Sequence, residues 1–146
     1  VLADVGNMEP DRKYRYPIEL TETQYARGKR RLIAAWRLVC ALPGMPSIYY
    51  GDEAGLYGMA DPFCRAAYPW GREDKDLIEA FREAAMHRLS HPALIDGSVA
   101  LEAAGDDLFV VTRSLNGQAA TLAVNRGEEP ADYKGAKVPG ECAEWI

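Results

Sequence analysis

The sequence predicts an α+β fold, because two helical patterns with a short apolar run between them are followed by three β-prone runs. One parallel strand with two helices cannot form a sheet by itself, so we interpret the first part as the last unit of a larger α/β barrel. We interpret the second part as the start of an antiparallel β-sandwich. The predicted domains are residues 1–96 and 97–146.

The first helix is expected to begin after Thr21, which has the capping-box spacing with Gln24. Apolar residues then recur at helical spacing until Pro43 prevents continuation. A second helical pattern covers about residues 75–89 and ends before Pro92. These two patterns predict the helices on either side of the apolar run.

The apolar run Ser47–Tyr50 shows no polar alternation, which is typical of a strand buried on both faces. We therefore expect Tyr49 to lie in the core. Residues 51–72 are too long and too rich in glycine for a simple connector, and long ordered loops of this kind are usually functional. This loop is the first candidate for a ligand site.

The β-prone runs are Ser98–Ala103, Leu108–Leu115 and Ala119–Asn125. Asn116-Gly117 lies between the last two runs, and Asn-Gly between strands indicates a hairpin. The tail from Pro130 onward is weakly patterned. The second part is thus predicted to be an antiparallel meander.

The net charge of −5 argues against nucleic-acid and anionic-membrane partners, and no apolar run approaches the roughly 18 residues of a membrane span. The chain begins without Met or a signal pattern and ends abruptly, so we expect a piece of a longer protein. Its compartment is left open, with the cytoplasm favoured. The cysteines Cys40, Cys64 and Cys142 are widely spaced and expected to be reduced.

Two groups of basic residues are expected to have structural roles. The run Arg27–Arg31 is expected to form a solvated helix face. His87 and His91 have i, i+4 spacing, but no third metal ligand is evident beside them. The sequence therefore predicts neither a metal site nor a cofactor.

Residues 44–53, Gly-Met-Pro-Ser-Ile-Tyr-Tyr-Gly-Asp-Glu, resemble the segment that forms the eighth barrel strand in the α-amylase superfamily, glycoside hydrolase family thirteen. The continuation, with Asp-Pro-Phe-Cys-Arg at residues 61–65 and Trp70, is similar to the neopullulanase, cyclomaltodextrinase and maltogenic amylase branch. Residues 125–127, Asn-Arg-Gly, resemble a turn of that branch's C-terminal sandwich. The resemblance implies the end of a (β/α)8 catalytic barrel followed by part of a β-sandwich domain.

The resemblance also implies a retaining glycosidase that hydrolyses α-glucosidic bonds in α-glucans or cyclodextrins. Such hydrolysis requires two carboxyl groups about 5–5.5 Å apart, and the family carries its acids after the fourth, fifth and seventh strands. The seventh-strand motif contains His-Asp, whereas neither His87 nor His91 precedes an Asp. We expect no catalytic residue in this chain and no activity from it alone. The alternative is a non-catalytic carbohydrate-binding or interaction module of a degenerate relative.

Within the candidate loop, Asp52 and Glu53 are adjacent on an extended segment and point to opposite faces, so we expect them to order the loop. Asp61 and Arg65 are substrate-binding candidates, because a carboxylate and a guanidinium can bond sugar hydroxyls. Their alternative is a mutual ion pair. Tyr57 joins the substrate-binding candidates, although packing and sugar stacking both remain open for it.

The predicted fragment also leaves self-association open as a third, structural interpretation. A parallel strand without neighbours and an incomplete sandwich both expose sheet edges, and exposed edges pair readily with other chains. The expected partners are therefore an α-glucan or cyclodextrin substrate and, in this interpretation, a second copy of the chain.

Overall fold

The computed structural model describes residues 19–58 and 65–146, and within them it confirms the predicted α+β fold class. The α-helices in the described part of the chain are α1 (Glu22–Ala41), α2 (Lys75–Ser90) and α3 (Pro92–Asp96). The strands described there are β1 (Ser98–Ala103), β2 (Leu108–Leu115), β3 (Gln118–Asn125), β4 (Ala131–Tyr133), β5 (Ala136–Val138) and β6 (Cys142–Trp145). None of the helices in these two ranges has the length and apolar character needed to cross a membrane.

Helix α1 begins with the predicted capping box. The Thr21 side chain accepts a hydrogen bond from the Gln24 N–H at 3.2 Å, and the Gln24 side chain accepts one from the Thr21 N–H at 3.0 Å. The two bonds satisfy donors that have no partner inside the helix. The start of α1 is therefore fixed by local sequence.

The strands form a four-stranded antiparallel sheet in the order β1-β2-β3-β6 and a separate hairpin of β4 and β5. The β2–β3 hairpin turns at Asn116-Gly117, where both residues have positive φ, as the predicted two-residue turn requires. Strand β6 pairs with β3 although the sequence pattern there is weak. The tail thus completes the main sheet.

Helix α1 packs on one face of the main sheet, and the β4–β5 hairpin covers the other. The first interface buries Ala34, Ala41, Val111, Leu122 and Ala143, and the second buries Leu108, Val110, Ala123, Tyr133 and Val138. On its other side, α1 packs against α2, where the Trp36 ring stacks on Phe81 with centroids 4.9 Å apart. Helix α1 therefore joins the two predicted domains, and the boundary between residues 96 and 97 stays a prediction.

The segment Ser47–Tyr50 is not hydrogen-bonded as a strand. A parallel strand requires a neighbouring strand, and no strand among residues 19–58 and 65–146 lies beside this segment. The Tyr49 side chain is consequently 52% exposed, so its expected core position is wrong in this structure.

The expectation that Arg27–Arg31 forms a solvated face is also wrong. Arg27, Arg30 and Arg31 all bind the carboxylate of Glu141, whose residue is only 5% exposed. Hydrogen bonds from Arg27, and then from Arg31 and Arg30, lower the pKa of Glu141 although burial opposes that shift. The run fastens α1 to the segment before β6.

Arg113 on β2 is a second buried charge that the sequence pattern did not indicate. Its guanidinium donates hydrogen bonds to the carbonyl oxygens of Ala41 at 3.0 Å, Leu94 at 2.9 Å and Gly97 at 2.7 Å. Burial lowers its pKa. Because the last carbonyls of a helix have no partner inside the helix, Arg113 completes the ends of α1 and α3.

Candidate functional site

The candidate loop starts with a compact turn immediately after residues 47–50. Asp52–Ala54 forms one turn of 3₁₀-helix between Gly51 and Gly55, which both have positive φ. The Leu56 N–H donates to the Gly51 carbonyl at 2.9 Å, and a Cβ on Gly51 would lie 2.7 Å from the Leu56 side chain. Glycine is therefore required for this turn on grounds of both conformation and space.

Glu53 bonds to the backbone inside this turn. Its Oε2 accepts a hydrogen bond from the Gly51 N–H at 3.0 Å. Burial, followed by the charge of Glu53, raises the pKa of Asp52. Burial also raises the pKa of Tyr68, with further contributions from the charge of Glu53 and a hydrogen bond to it. These contacts suit residues that order the loop, and the scaffold role of Asp52 and Glu53 stays a prediction.

Asp74, which lies between the loop and α2, connects the loop to both long helices. Its carboxylate caps α2 by accepting from the Leu77 N–H at 3.0 Å, and it accepts from the Tyr25 hydroxyl at 2.7 Å and the Lys29 ammonium at 2.8 Å. Its own N–H donates to the Ala54 carbonyl at 3.0 Å. Burial alone would raise the pKa of Asp74, but the bonds from Lys29, Tyr25 and Leu77 lower it. The sequence analysis did not single out this residue, although an Asp directly before an apolar helical stripe is a signal for an N-cap.

Arg88 fixes the turn that leads from α1 toward the loop. Its guanidinium donates to the carbonyl oxygens of Cys40 at 2.6 Å, Leu42 at 3.0 Å and Gly44 at 2.7 Å. The signal that could have indicated this role is an arginine on the apolar stripe of α2, seven residues after Phe81. Arg88 thus sets the direction in which the chain leaves α1.

Several aromatic side chains of the loop region are exposed. The Tyr49 and Tyr50 rings lie 5.1 Å apart, the Tyr68 and Trp70 rings lie 4.5 Å apart, and Trp70 is 80% exposed. The Tyr50 hydroxyl donates to the Ala66 carbonyl at 2.9 Å, which brings residue 50 close to the second part of the loop. The surface can therefore offer aromatic faces to a flat apolar ligand surface such as a sugar ring.

Of the three predicted substrate-binding residues, two lie in the described part of the chain and one lies outside it. Tyr57 is about half exposed, and its ring centroid lies 6.2 Å from that of Tyr25. Arg65 lies on the exposed surface. Asp61 lies outside the described residues, so its distance from Arg65 is not part of this structure. Sugar contact and a mutual ion pair both stay predictions for Asp61 and Arg65.

His87 of α2 and His91, which directly follows that helix, take part in packing. The rings of His87 and His91 stack with centroids 4.1 Å apart, and His87 stacks equally closely on Trp145 of β6. Burial, followed by the positive charges of His91 and Arg37, lowers the pKa of His87. Within residues 19–58 and 65–146, no group of three His, Cys, Asp or Glu side chains is arranged to hold a metal ion.

Known proteins share both sequence and fold with this chain. No family model matches the sequence. An amylopullulanase of Thermoanaerobacter thermohydrosulfuricus is 44% identical over 90 residues, which are 61% of this chain and 6% of that protein. A cyclomaltodextrinase of Geobacillus thermopakistaniensis is 34% identical over 93 residues, which are 61% of this chain and 16% of that protein.

A solved structure of a related enzyme also shares the fold of this chain. The ligand-free cyclic α-maltosyl-(1→6)-maltose hydrolase of Arthrobacter globiformis superposes with a TM-score of 0.75 and 28% identity, covering 85% of this chain and 30% of that one. The chain is a homologue of α-amylase-superfamily enzymes. The resemblance to the neopullulanase, cyclomaltodextrinase and maltogenic amylase branch of this superfamily is thereby confirmed. The chain spans only 6% and 16% of the length of the two superfamily relatives named above.

Proposed function

We propose that the chain is the C-terminal portion of a retaining glycosidase that hydrolyses α-glucosidic bonds in α-glucans or cyclodextrins. The observation that carries this proposal is the superposition on a cyclic α-maltosyl-(1→6)-maltose hydrolase over 85% of the chain. The names of the sequence relatives, amylopullulanase and cyclomaltodextrinase, support the same class of substrate.

In this proposal, residues 51–72 form a substrate-side loop. Loops after the strands of an eight-stranded barrel build its active site, and this loop follows the segment that resembles the eighth strand. Tyr57 and Trp70 offer exposed ring faces for sugar stacking. Asp61 and Arg65 supply an acceptor and a planar set of donors for sugar hydroxyls.

Residues 1–96 then belong to the catalytic barrel, and residues 97–146 form part of the accessory β-domain. The packing of α1 on β2, β3 and β6 supports a role for this domain in holding the barrel helix that precedes the eighth-strand segment. Asp52 and Glu53 serve as the loop scaffold. The catalytic acids belong to the part of the enzyme outside these residues.

The test uses the full-length protein that contains these residues, with the 146-residue chain as its matched control. Both are incubated with β-cyclodextrin and pullulan, and released reducing ends and product anomers are followed by NMR. We expect hydrolysis with retention of configuration from the full-length protein and none from the chain alone. Robust hydrolysis by the chain alone would contradict the placement of the acids. A full-length protein that binds glucan without cleaving it would support the non-catalytic binding module instead.

Self-association is a second proposal, supported by strand β1. This strand lies at the edge of the main sheet, and its Val99 and Leu101 side chains are 43% and 59% exposed. Exposed apolar edge strands pair readily with a second chain. Light scattering of the isolated chain at several concentrations should show a mass that rises with concentration, and a constant monomer mass would refute the proposal.

A further inference from the structure

We propose that Tyr25 of α1 is a positioning residue for glucan binding, acting through Asp74 and the backbone of residues 54–57 on the aromatic side chain of Tyr57. This inference rests on the proposed function, because it assumes that Tyr57 contacts a glucan. It assigns a substrate-related role to a helix residue that itself need not touch the substrate.

The first argument is the hydrogen-bond geometry. The Tyr25 hydroxyl donates to Asp74 Oδ2 at 2.7 Å, and Lys29 binds both oxygens of the same carboxylate at 2.8 Å. The Asp74 N–H holds the Ala54 carbonyl at 3.0 Å. Helix α1 therefore reaches the loop backbone through one acidic residue.

The second argument is the close approach of the loop to the hydroxyl. A Cβ built on Gly55 would lie 2.3 Å from Tyr25 Oη and 3.2 Å from Asp74 Cβ. The backbone of Gly55 thus rests directly against the Tyr25–Asp74 pair, where only glycine leaves room. Tyr57 follows two residues later, and its ring centroid lies 6.2 Å from that of Tyr25.

The protonation states of Tyr25 and Asp74 favour a lasting hydrogen bond between them. Burial and the Asp74 carboxylate raise the pKa of Tyr25, so its hydroxyl stays a donor. Lys29 and Tyr25 keep the pKa of Asp74 lowered despite its partial burial, so the acceptor stays charged. A hydrogen bond to a charged partner is worth more than a neutral one.

The chain offers a matched control. Tyr133 donates to Glu102 Oε2 at 2.8 Å. It packs in the cluster under the β4–β5 hairpin, which contains no residue of the loop. Tyr25→Phe and Tyr133→Phe each remove one tyrosine–carboxylate hydrogen bond and keep the ring. Only the first of them should alter the loop.

The experiment compares both variants with the wild type in the full-length protein. It measures kcat and KM with a maltooligosaccharide, and amide hydrogen exchange of residues 54–57. For Tyr25→Phe we expect KM to rise about five- to tenfold with kcat within about twofold, and faster exchange in residues 54–57. Tyr133→Phe should change neither.

The possible outcomes separate a failure of the inference about Tyr25 from a failure of the proposed function. Unchanged exchange in residues 54–57 of Tyr25→Phe overturns the inference, whether or not the protein is active. Faster exchange with unchanged KM overturns the link to substrate, and equal changes in both variants show a general loss of stability and also overturn it. A wild type without glucan hydrolysis refutes the proposed function, while the exchange data still decide whether Tyr25 positions the loop. If Tyr25→Phe does not fold, Asp74→Asn, which keeps an oxygen acceptor for the Leu77 N–H but removes the charge that Tyr25 binds, is tested for the same exchange effect, and unchanged exchange in residues 54–57 then overturns the inference.

Discussion

Replacing Glu141 by glutamine removes a charge that three arginines of α1 share. Arg27 Nε and Arg31 Nε donate to Glu141 Oε1 at 2.6 and 2.9 Å, and Arg30 Nη2 donates to Oε2 at 3.2 Å. Glutamine keeps the volume of the side chain but presents an NH₂ group to guanidinium donors. The variant therefore tests whether this cluster fastens α1 to the C-terminal strand.

The expected loss in free energy of unfolding is about 3 kcal/mol. Removing one partner of a buried charge pair typically costs about 3–5 kcal/mol, because the remaining charge loses its compensation. The lower end applies here, since the arginines are partly exposed and water can reach them once the carboxylate is lost. For a chain of this size, such a loss corresponds to a fall in Tm of about 10 °C.

Urea denaturation at pH 7 measures the effect, and Glu144→Gln is the matched control. Glu144 also pairs with an α1 arginine, Arg37, at 3.3 Å, but its side chain is 42% exposed. Exposed pairs contribute about 0–1 kcal/mol. A loss for Glu141→Gln below about 1 kcal/mol, or equal to that of Glu144→Gln, would refute the reasoning.

The same variant has a defined pH dependence. Since the folded-state pKa of Glu141 is lowered, its stabilisation is fully present above the ordinary glutamate pKa of about 4.3. It is lost as the pH falls through the folded-state value. The difference in stability between the wild type and Glu141→Gln should therefore shrink in acid. A difference that stays constant from pH 7 to pH 2 would contradict this sign.

Two further predictions concern one buried and one half-buried position. Arg113→Met should lower the free energy of unfolding, measured in urea, by about 3 kcal/mol, because buried carbonyl oxygens lose their hydrogen-bond donor. Arg82→Met, at an exposed arginine, is the control. Equal losses in the two variants would count against the capping role of Arg113. Gly140→Ala should cost at least about 2 kcal/mol by the same measurement, because its Cβ would lie 1.9 Å from the Glu128 carbonyl oxygen. Gly127→Ala, which also lacks a positive φ and whose Cβ would lie 3.0 Å from the Asp107 side chain, should cost less, and the reverse order would refute the steric argument.

The elements predicted most closely have their causes within a few residues. The capping box of Thr21 and Gln24 fixes the start of α1, and Asn116-Gly117 fixes the register of the β2–β3 hairpin. Both depend on hydrogen bonds or backbone conformations between near neighbours. The motif at residues 44–53 likewise identifies the superfamily from adjacent residues alone.

The predictions that differ from the structure depend on distant partners. Ser47–Tyr50 has the composition of a buried strand, but a strand also requires a neighbour, which the described residues do not provide. The run Arg27–Arg31 reads as a solvated face because its partner, Glu141, lies more than a hundred residues away in sequence. Charge patterning within a helix cannot reveal a counter-ion on another element.

The sequence by itself determined the boundaries of α1, α2 and the β2–β3 hairpin, the superfamily and the loop that carries the candidate sugar contacts. Only the tertiary structure decided that α1 is the centre of the molecule, that Arg88 and Arg113 complete helix ends, and that Tyr25 and Asp74 support the loop. The reason is physical. Propensities and turns act between near neighbours, whereas buried charges and hydroxyls find partners only after folding brings distant segments together.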